Sequence, residues 1–153
     1  MNLYKFHSKP KLLDGHDLVS EKNPHIFWDK YKSNKEELKK REKYIVQEPE
    51  YSYYYVRDVL KGPFPLGEEA ISKSAEYAYN YAEYILEGPF SAGEEAISRD
   101  SWYAYRYAKY LLKGPFPKGE AAIAKDGFYS RLYARKILKK DFYYNGQLIA
   151  KAE

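Results

Sequence analysis

The stretch Lys61-Gly62-Pro63-Phe64-Pro65-Leu66-Gly67-Glu68-Glu69-Ala70-Ile71-Ser72-Lys73 decides the fold, because the chain repeats it. Gly-Pro-Phe recurs at Gly62, Gly88 and Gly114, an unbroken spacing of 26 residues. A fixed period of this length marks stacked supersecondary units, each burying the face its neighbour leaves open. Extended both ways, the Phe slot holds Leu12, Leu38, Phe64, Phe90, Phe116 and Phe142. The slot seven residues later holds Val19, Ile45, Ile71, Ile97, Ile123 and Ile149. Both slots stay apolar along the whole chain, which predicts good central units flanked by degenerate ones.

Each unit reads as two helices. The first is short, runs through Gly67-Glu68-Glu69-Ala70-Ile71-Ser72-Lys73, and is entered through Pro65, whose missing N–H has no partner to lose in a first turn. Glu68, Glu69, Glu94, Glu95 and Glu120 sit near the positive end of its dipole. The second helix is longer and starts at Ser74, Asp100 and Asp126, side chains that accept from orphan amides. In the preceding unit Glu48 takes that slot and Pro49 follows. The long helices are expected to stop with Gly62, Gly88 and Gly114 in the left-handed conformation and the next proline barring continuation.

The ends depart from the pattern. Residues 1–47 read as a degenerate N-terminal cap region, 48–139 as regular repeats and 140–153 as a C-terminal cap, together one repeat domain. Asn23-Pro24 followed by His25 to Tyr31 reads as a cap and a helix one residue out of register. Two readings fit Phe142 to Ile149: a hairpin around Asn145-Gly146, or a terminal capping unit. The 26-residue register favours the capping unit. The resulting fold class is all-α, an α-solenoid of about five helix pairs.

Within the long helix, one slot is Tyr51, Tyr77, Tyr103 and Tyr129, and the next is small: Ser52, Ala78, Ala104 and Ser130. Four residues after the first come Tyr55, Tyr81, Tyr107 and Tyr133, then Val56, Ala82, Ala108 and Ala134. Val59, Ile85, Leu111, Ile137 and Leu60, Leu86, Leu112, Leu138 complete one apolar stripe. The 19 tyrosines therefore read first as packing between units, with Glu42, Glu68, Glu94 and Glu120 as partners for their hydroxyls. A base-stacking ladder is the alternative.

Slots that fail to recur point to partners. Glu50, Glu76, Trp102, Phe128 form one; Tyr54, Asn80, Arg106, Leu132 a second; Arg57, Glu83, Lys109, Arg135 a third; Tyr53, Tyr79, Tyr105, Arg131 a fourth. All four are expected on the face away from the packing stripe. Trp102, Tyr105, Arg106 and Lys109 would then cluster with Phe128, Arg131, Leu132 and Arg135 as a partner-binding surface, since aromatics and arginines dominate binding hot spots. Packing of Trp102 and Phe128 against the next short helix is the competing reading.

The net charge is +4 but uneven: residues 62–98 carry seven acids against one lysine, and residues 99–153 carry twelve Lys and Arg against five acids. The basic third suits an acidic partner, whether protein, nucleotide or nucleic acid. The chain has no cysteine, which excludes disulfides, thiolate metal sites and cysteine nucleophiles. No stretch approaches the ~20 apolar residues of a membrane span, and Met1 to Leu13 has no apolar signal core, so a cytoplasmic protein is expected. His7, His16 and His25 have no known ligand spacing. With no nucleophile elbow, phosphate-cradling loop or zinc-protease helix, neither enzyme activity nor a cofactor is expected.

The run Lys-Gly-Pro-Phe-Pro-x-Gly-Glu-x-Ala-Ile-x-Lys followed by Tyr-Ala-Tyr-x-Tyr-Ala-x-x-Leu-Leu, over Glu48 to Lys139, resembles tyrosine-rich helical repeats of tailed bacteriophages and large DNA viruses. That resemblance brings no catalytic residues. It implies a small viral protein in a host cytoplasm that binds and inhibits a host protein or defence complex. The alternative is a nucleotide or nucleic-acid binding protein using the basic C-terminal third.

Overall fold

The computed structural model describes residues 34–153. The helix expected around His25–Tyr31, and all three histidines, lie outside the described residues. These residues are mostly helical, with one small two-stranded sheet at their C-terminal end.

Helix α1 spans Lys35–Ile45 and buries Leu38 and Ile45 completely, the two register positions it carries. Three long helices with the same construction follow: α2 (Pro49–Tyr55), α4 (Ala75–Tyr81) and α6 (Ser101–Arg106), and α8 (Gly127–Tyr133) is a fourth. Each runs on into a π-helical segment, at Val56–Leu60, Ala82–Leu86, Tyr107–Leu112 and Ala134–Leu138. Between them stand the short helices α3 (Pro65–Ile71), α5 (Glu94–Ile97) and α7 (Glu120–Ala124); α5 and α7 are entered through 3-10 turns at Ser91–Gly93 and Pro117–Gly119.

Every short helix packs on the long helix before it, and each long helix packs on the next: α2 on α4, α4 on α6, α6 on α8. The close approach of short to long helix depends on small residues. A Cβ placed on Gly93 would stand 2.6 Å from both the Ala78 Cβ and the Phe90 ring, and one on Gly119 would stand 2.7 Å from the Ala104 Cβ. These glycines exist to let two backbones meet, not to relieve a dihedral.

Phe64, Phe90 and Phe116 are buried beneath that contact, each against the tyrosine ring of a long helix. The pairs are Tyr55–Phe64 at 5.3 Å, Tyr81–Phe90 at 5.1 Å and Tyr107–Phe116 at 5.1 Å between ring centres. The hydroxyls of the same tyrosines reach back to glutamates thirteen residues earlier: Tyr55 to Glu42, Tyr81 to Glu68, Tyr107 to Glu94 and Tyr133 to Glu120. Packed this way, these rings are not available as a base-stacking ladder.

Two expectations are corrected. First, the left-handed residue ending each long helix is not glycine but the residue before it: Lys61, Glu87, Lys113 and Lys139, at φ of 57°, 51°, 53° and 54°. The π-helical last turn is the cause. The Lys61 N–H donates to Val56 O, five residues back, so the chain reverses one position early. Glycine then takes the following position, and the Gly88 and Gly114 amides donate to Ala82 O and Ala108 O.

Second, the C-terminal segment is a hairpin rather than a helical capping unit, a small sheet at the end of the otherwise helical described residues. β1 (Phe142–Tyr144) pairs antiparallel with β2 (Gln147–Ala150) through Asn145 and Gly146, both at positive φ as a two-residue hairpin turn requires. The register survives in part. Phe142 is 1% exposed and its ring sits 5.2 Å from Tyr133, the contact each Phe makes in the earlier units. Ile149, in the slot where Ile71, Ile97 and Ile123 are fully buried, is only half-buried. Local turn chemistry at Asn145-Gly146 overrides the weak helical signal while the apolar Phe slot is kept.

Candidate functional site

The starts of α6 and α8 set the surface around Trp102 and Phe128. Asp100 Oδ1 accepts the amides of Trp102 (2.9 Å) and Tyr103 (3.0 Å), and Asp126 Oδ1 accepts those of Phe128 (2.9 Å) and Tyr129 (3.1 Å). Those N–H bonds, the Tyr129 amide foremost, hold the Asp126 carboxyl below its ordinary pKa, so it caps as a carboxylate. Ser101 Oγ donates to Asp126 Oδ2 at 3.2 Å, which ties the two helix starts together.

Trp102 and Phe128 thus occupy matching positions in two adjoining first turns, and both flank one ring. Tyr129 lies 5.6 Å from Trp102, 5.1 Å edge-on from Phe128 and 5.8 Å from Tyr105, on which it stacks. Trp102 remains 41% exposed and Phe128 57% exposed. Neither is folded away under a short helix.

The other expected site residues divide. Lys109, Arg131 and Arg135 are exposed; Lys109 Nζ donates to Tyr110 Oη at 3.0 Å, and Tyr110 is itself 47% exposed. Leu132 is half-buried and packs against the core. Tyr105 is a correction: it is 5% exposed, as its counterparts Tyr53 and Tyr79 are buried. Each of these rings packs on the next long helix, Tyr53 on Tyr77, Tyr79 on Tyr103 and Tyr105 on Tyr129. A long helix with neighbours on two sides buries a wider arc than one apolar stripe. At Arg131 the slot turns charged and exposed, where α8 has no following long helix against it among the described residues.

Arg106 is the second correction. Its Nε–H donates to Tyr79 Oη at 3.1 Å and its Nη2 to both Glu83 oxygens at 3.3 Å, while Tyr79 Oη donates to Glu83 Oε1 at 2.7 Å. Its guanidinium also lies over the rings of Tyr79 and Trp102, each at 4.9 Å. Burial is the main cause that pushes the Tyr79 hydroxyl well above its ordinary pKa, followed by the Glu83 hydrogen bond. Arg106 therefore joins α6 to α4 and braces the Trp102 indole from behind. The sequence held a signal for this pairing: Glu83 and Arg106, in two slots that do not recur, carry opposite charges three residues short of one period apart.

Among the described residues no group of three or more His, Asp or Glu is placed to hold a metal ion, and no helix is long and apolar enough to cross a membrane. No family model matches the sequence, and no curated protein or solved structure matches it.

Proposed function

We propose that this chain is a non-enzymatic binding protein, an α-solenoid of about five helix-pair repeats that takes a protein partner on the Trp102–Phe128 face. One observation carries the reading. Two large aromatics, both partly exposed, flank the Tyr129 ring on capped first turns, and Arg106 lies over the Trp102 indole. An exposed aromatic pair on a rigid frame loses little side-chain entropy on binding and buries much apolar area, the anatomy of a hot spot. Lys109, Arg131 and Arg135 are exposed cations on the same two helical runs, which suits a partner with an apolar projection in an acidic surround. Following the viral resemblance, that partner is a host protein or defence complex, met in the host cytoplasm and blocked by occupation.

Affinity capture from a host lysate tests this with three forms of the protein: unaltered, Trp102→Ala/Phe128→Ala, and Leu66→Ala as a control at an exposed apolar residue elsewhere. The expected result is one stoichiometric protein retained by the unaltered and Leu66→Ala forms and lost by the double variant with its helical circular dichroism intact. Retention by the double variant sinks the assignment of this face. Capture abolished by nuclease treatment transfers the function to the nucleic-acid alternative.

A further inference from the structure

The seams between successive long helices are alike in backbone and different in side chains. Between α4 and α6 the seam is closed by the protein itself, with Arg106 satisfying Glu83 and Tyr79. One period earlier, between α2 and α4, the corresponding residues are Asn80, Arg57 and Tyr53. Asparagine is too short to span the gap as Arg106 does, and Arg57 replaces a carboxylate with a cation. The ion pair that joins the helices across one seam is absent from the other, where Arg57 pairs instead with Asp58 on its own helical run.

The consequence is an open groove of about 480 Å³, lined by Tyr53, Arg57 and Lys61 on one wall and Tyr84, Ile85 and Glu87 on the other. That volume lies in the range of small-molecule sites. Tyr53 is 6% exposed, and its ring is fixed between Tyr54 and Tyr77 at 5.7 and 5.6 Å. Its hydroxyl has no hydrogen-bond partner among the described residues, whereas the matching Tyr79 hydroxyl has two. A buried hydroxyl without a partner is rare unless a ligand or water meets it. Burial also raises its pKa, so it stays a donor.

Arg57 turns its Nε and Nη2 onto its own neighbour Asp58 at 2.7 Å, and this leaves Nη1 without an acceptor among the described residues. Lys61, four residues on in the same wall, makes no ion pair among the described residues. Asp58 balances the charge of Arg57, so on that wall the Lys61 ammonium is left without a counter-ion among the described residues, and a ligand carboxylate would supply one. Glu87 faces Arg57 and Lys61 from the opposite wall, which makes a second full negative charge on a ligand costly.

We propose that this groove binds a small aromatic monoanion. Its carboxylate is received by Arg57, Lys61 and the Tyr53 hydroxyl, and its ring lies between Tyr84 and Ile85. The site shares no residue with the Trp102–Phe128 face, so each stands or falls without the other.

The test is titration of the ¹⁵N-labelled full chain, followed by two-dimensional NMR, with benzoate, uncharged benzamide and phenyl phosphate, which is largely dianionic at neutral pH. Benzoate is expected to give saturable shifts at Arg57, Tyr84 and Glu87, phenyl phosphate weaker ones at the same signals, and benzamide none. Tyr53→Phe, which keeps the packed ring, and Arg57→Gln should each weaken benzoate roughly tenfold, the loss expected for one hydrogen bond to a charged group. Glu87→Gln should strengthen phenyl phosphate binding several-fold. The proposal is overturned by benzoate that gives no saturable shift, by an equal response to benzamide, or by unchanged affinity in both weakening variants. Tighter binding of phenyl phosphate than of benzoate to the unaltered chain overturns the selection for a single charge.

Discussion

Tyr81 donates a 2.8 Å hydrogen bond to Glu68, thirteen residues before it, and the same oxygen accepts the buried Phe64 amide at 2.9 Å. One hydroxyl thereby joins a long helix to both the turn and the first helical residues that precede it. The arrangement recurs at Tyr107 with Glu94 and the Phe90 amide, and at Tyr133 with Glu120 and the Phe116 amide. Those amides belong to residues just before the short helices, where no helical partner exists for them.

Tyr107→Phe should therefore cost more than an ordinary hydrogen bond, because it orphans the buried Phe90 amide as well as freeing Glu94. The expected loss is about 1–3 kcal/mol, read from urea unfolding. A variant as stable as the parent would show that water replaces the hydroxyl at no cost.

The tyrosines of this set also set an alkaline limit. Burial, helped by the glutamate bonds, pushes Tyr55, Tyr81 and Tyr107 up to about 12 from an ordinary 10.0. The folded state thus holds these protons more tightly than the unfolded chain, so stability falls wherever the unfolded chain alone has ionised. It should be fully present below pH 10 and decline as pH rises from about 10 to 12. Circular dichroism at fixed denaturant, with tyrosinate absorbance recorded alongside, checks this; tyrosines that ionise near 10 without loss of helix would contradict it.

Gly62→Ala and Gly93→Ala should separate sharply although both glycines recur. An added methyl at Gly62 meets nothing within 4 Å, so that variant should change stability by less than about 1 kcal/mol. At Gly93 it drives into Ala78 and the Phe90 ring, and the short helix must lift; a cost of about 1–3 kcal/mol or more is expected. Thermal unfolding of the two variants side by side decides the point.

Lys113 holds a left-handed conformation that glycine adopts more readily. Lys113→Gly should stabilise the fold by roughly 0.5–1 kcal/mol. A lower melting temperature would mean that the lysine side chain contributes more than its backbone strain costs.

Arg106→Ala should destabilise by about 1–3 kcal/mol, since it leaves Glu83 partly buried without its counter-charge. In a double-mutant cycle with Glu83→Ala the two losses should not add. Additive losses would mean that the contact carries no coupling energy.

The primary structure by itself determined what short-range chemistry controls. The 26-residue period, the caps at Ser74, Asp100 and Asp126, the small residues opposite Gly93 and Gly119, and the Tyr–Glu partnerships all depend on residues at fixed spacings, so a repeated pattern exposes them. Trp102 and Phe128 could be picked out because they break that pattern. Only the tertiary structure decided which faces are covered. Tyr105 is buried because a second long helix lies against it, and Arg106 is committed because Glu83 waits across the seam. The left-handed residue moved to Lys61 because the last turn widens, and the hairpin formed because two residues at positive φ outweigh a faded helical register. Burial and pairing across a seam depend on what stands opposite a side chain, and the spacing along one chain does not contain that.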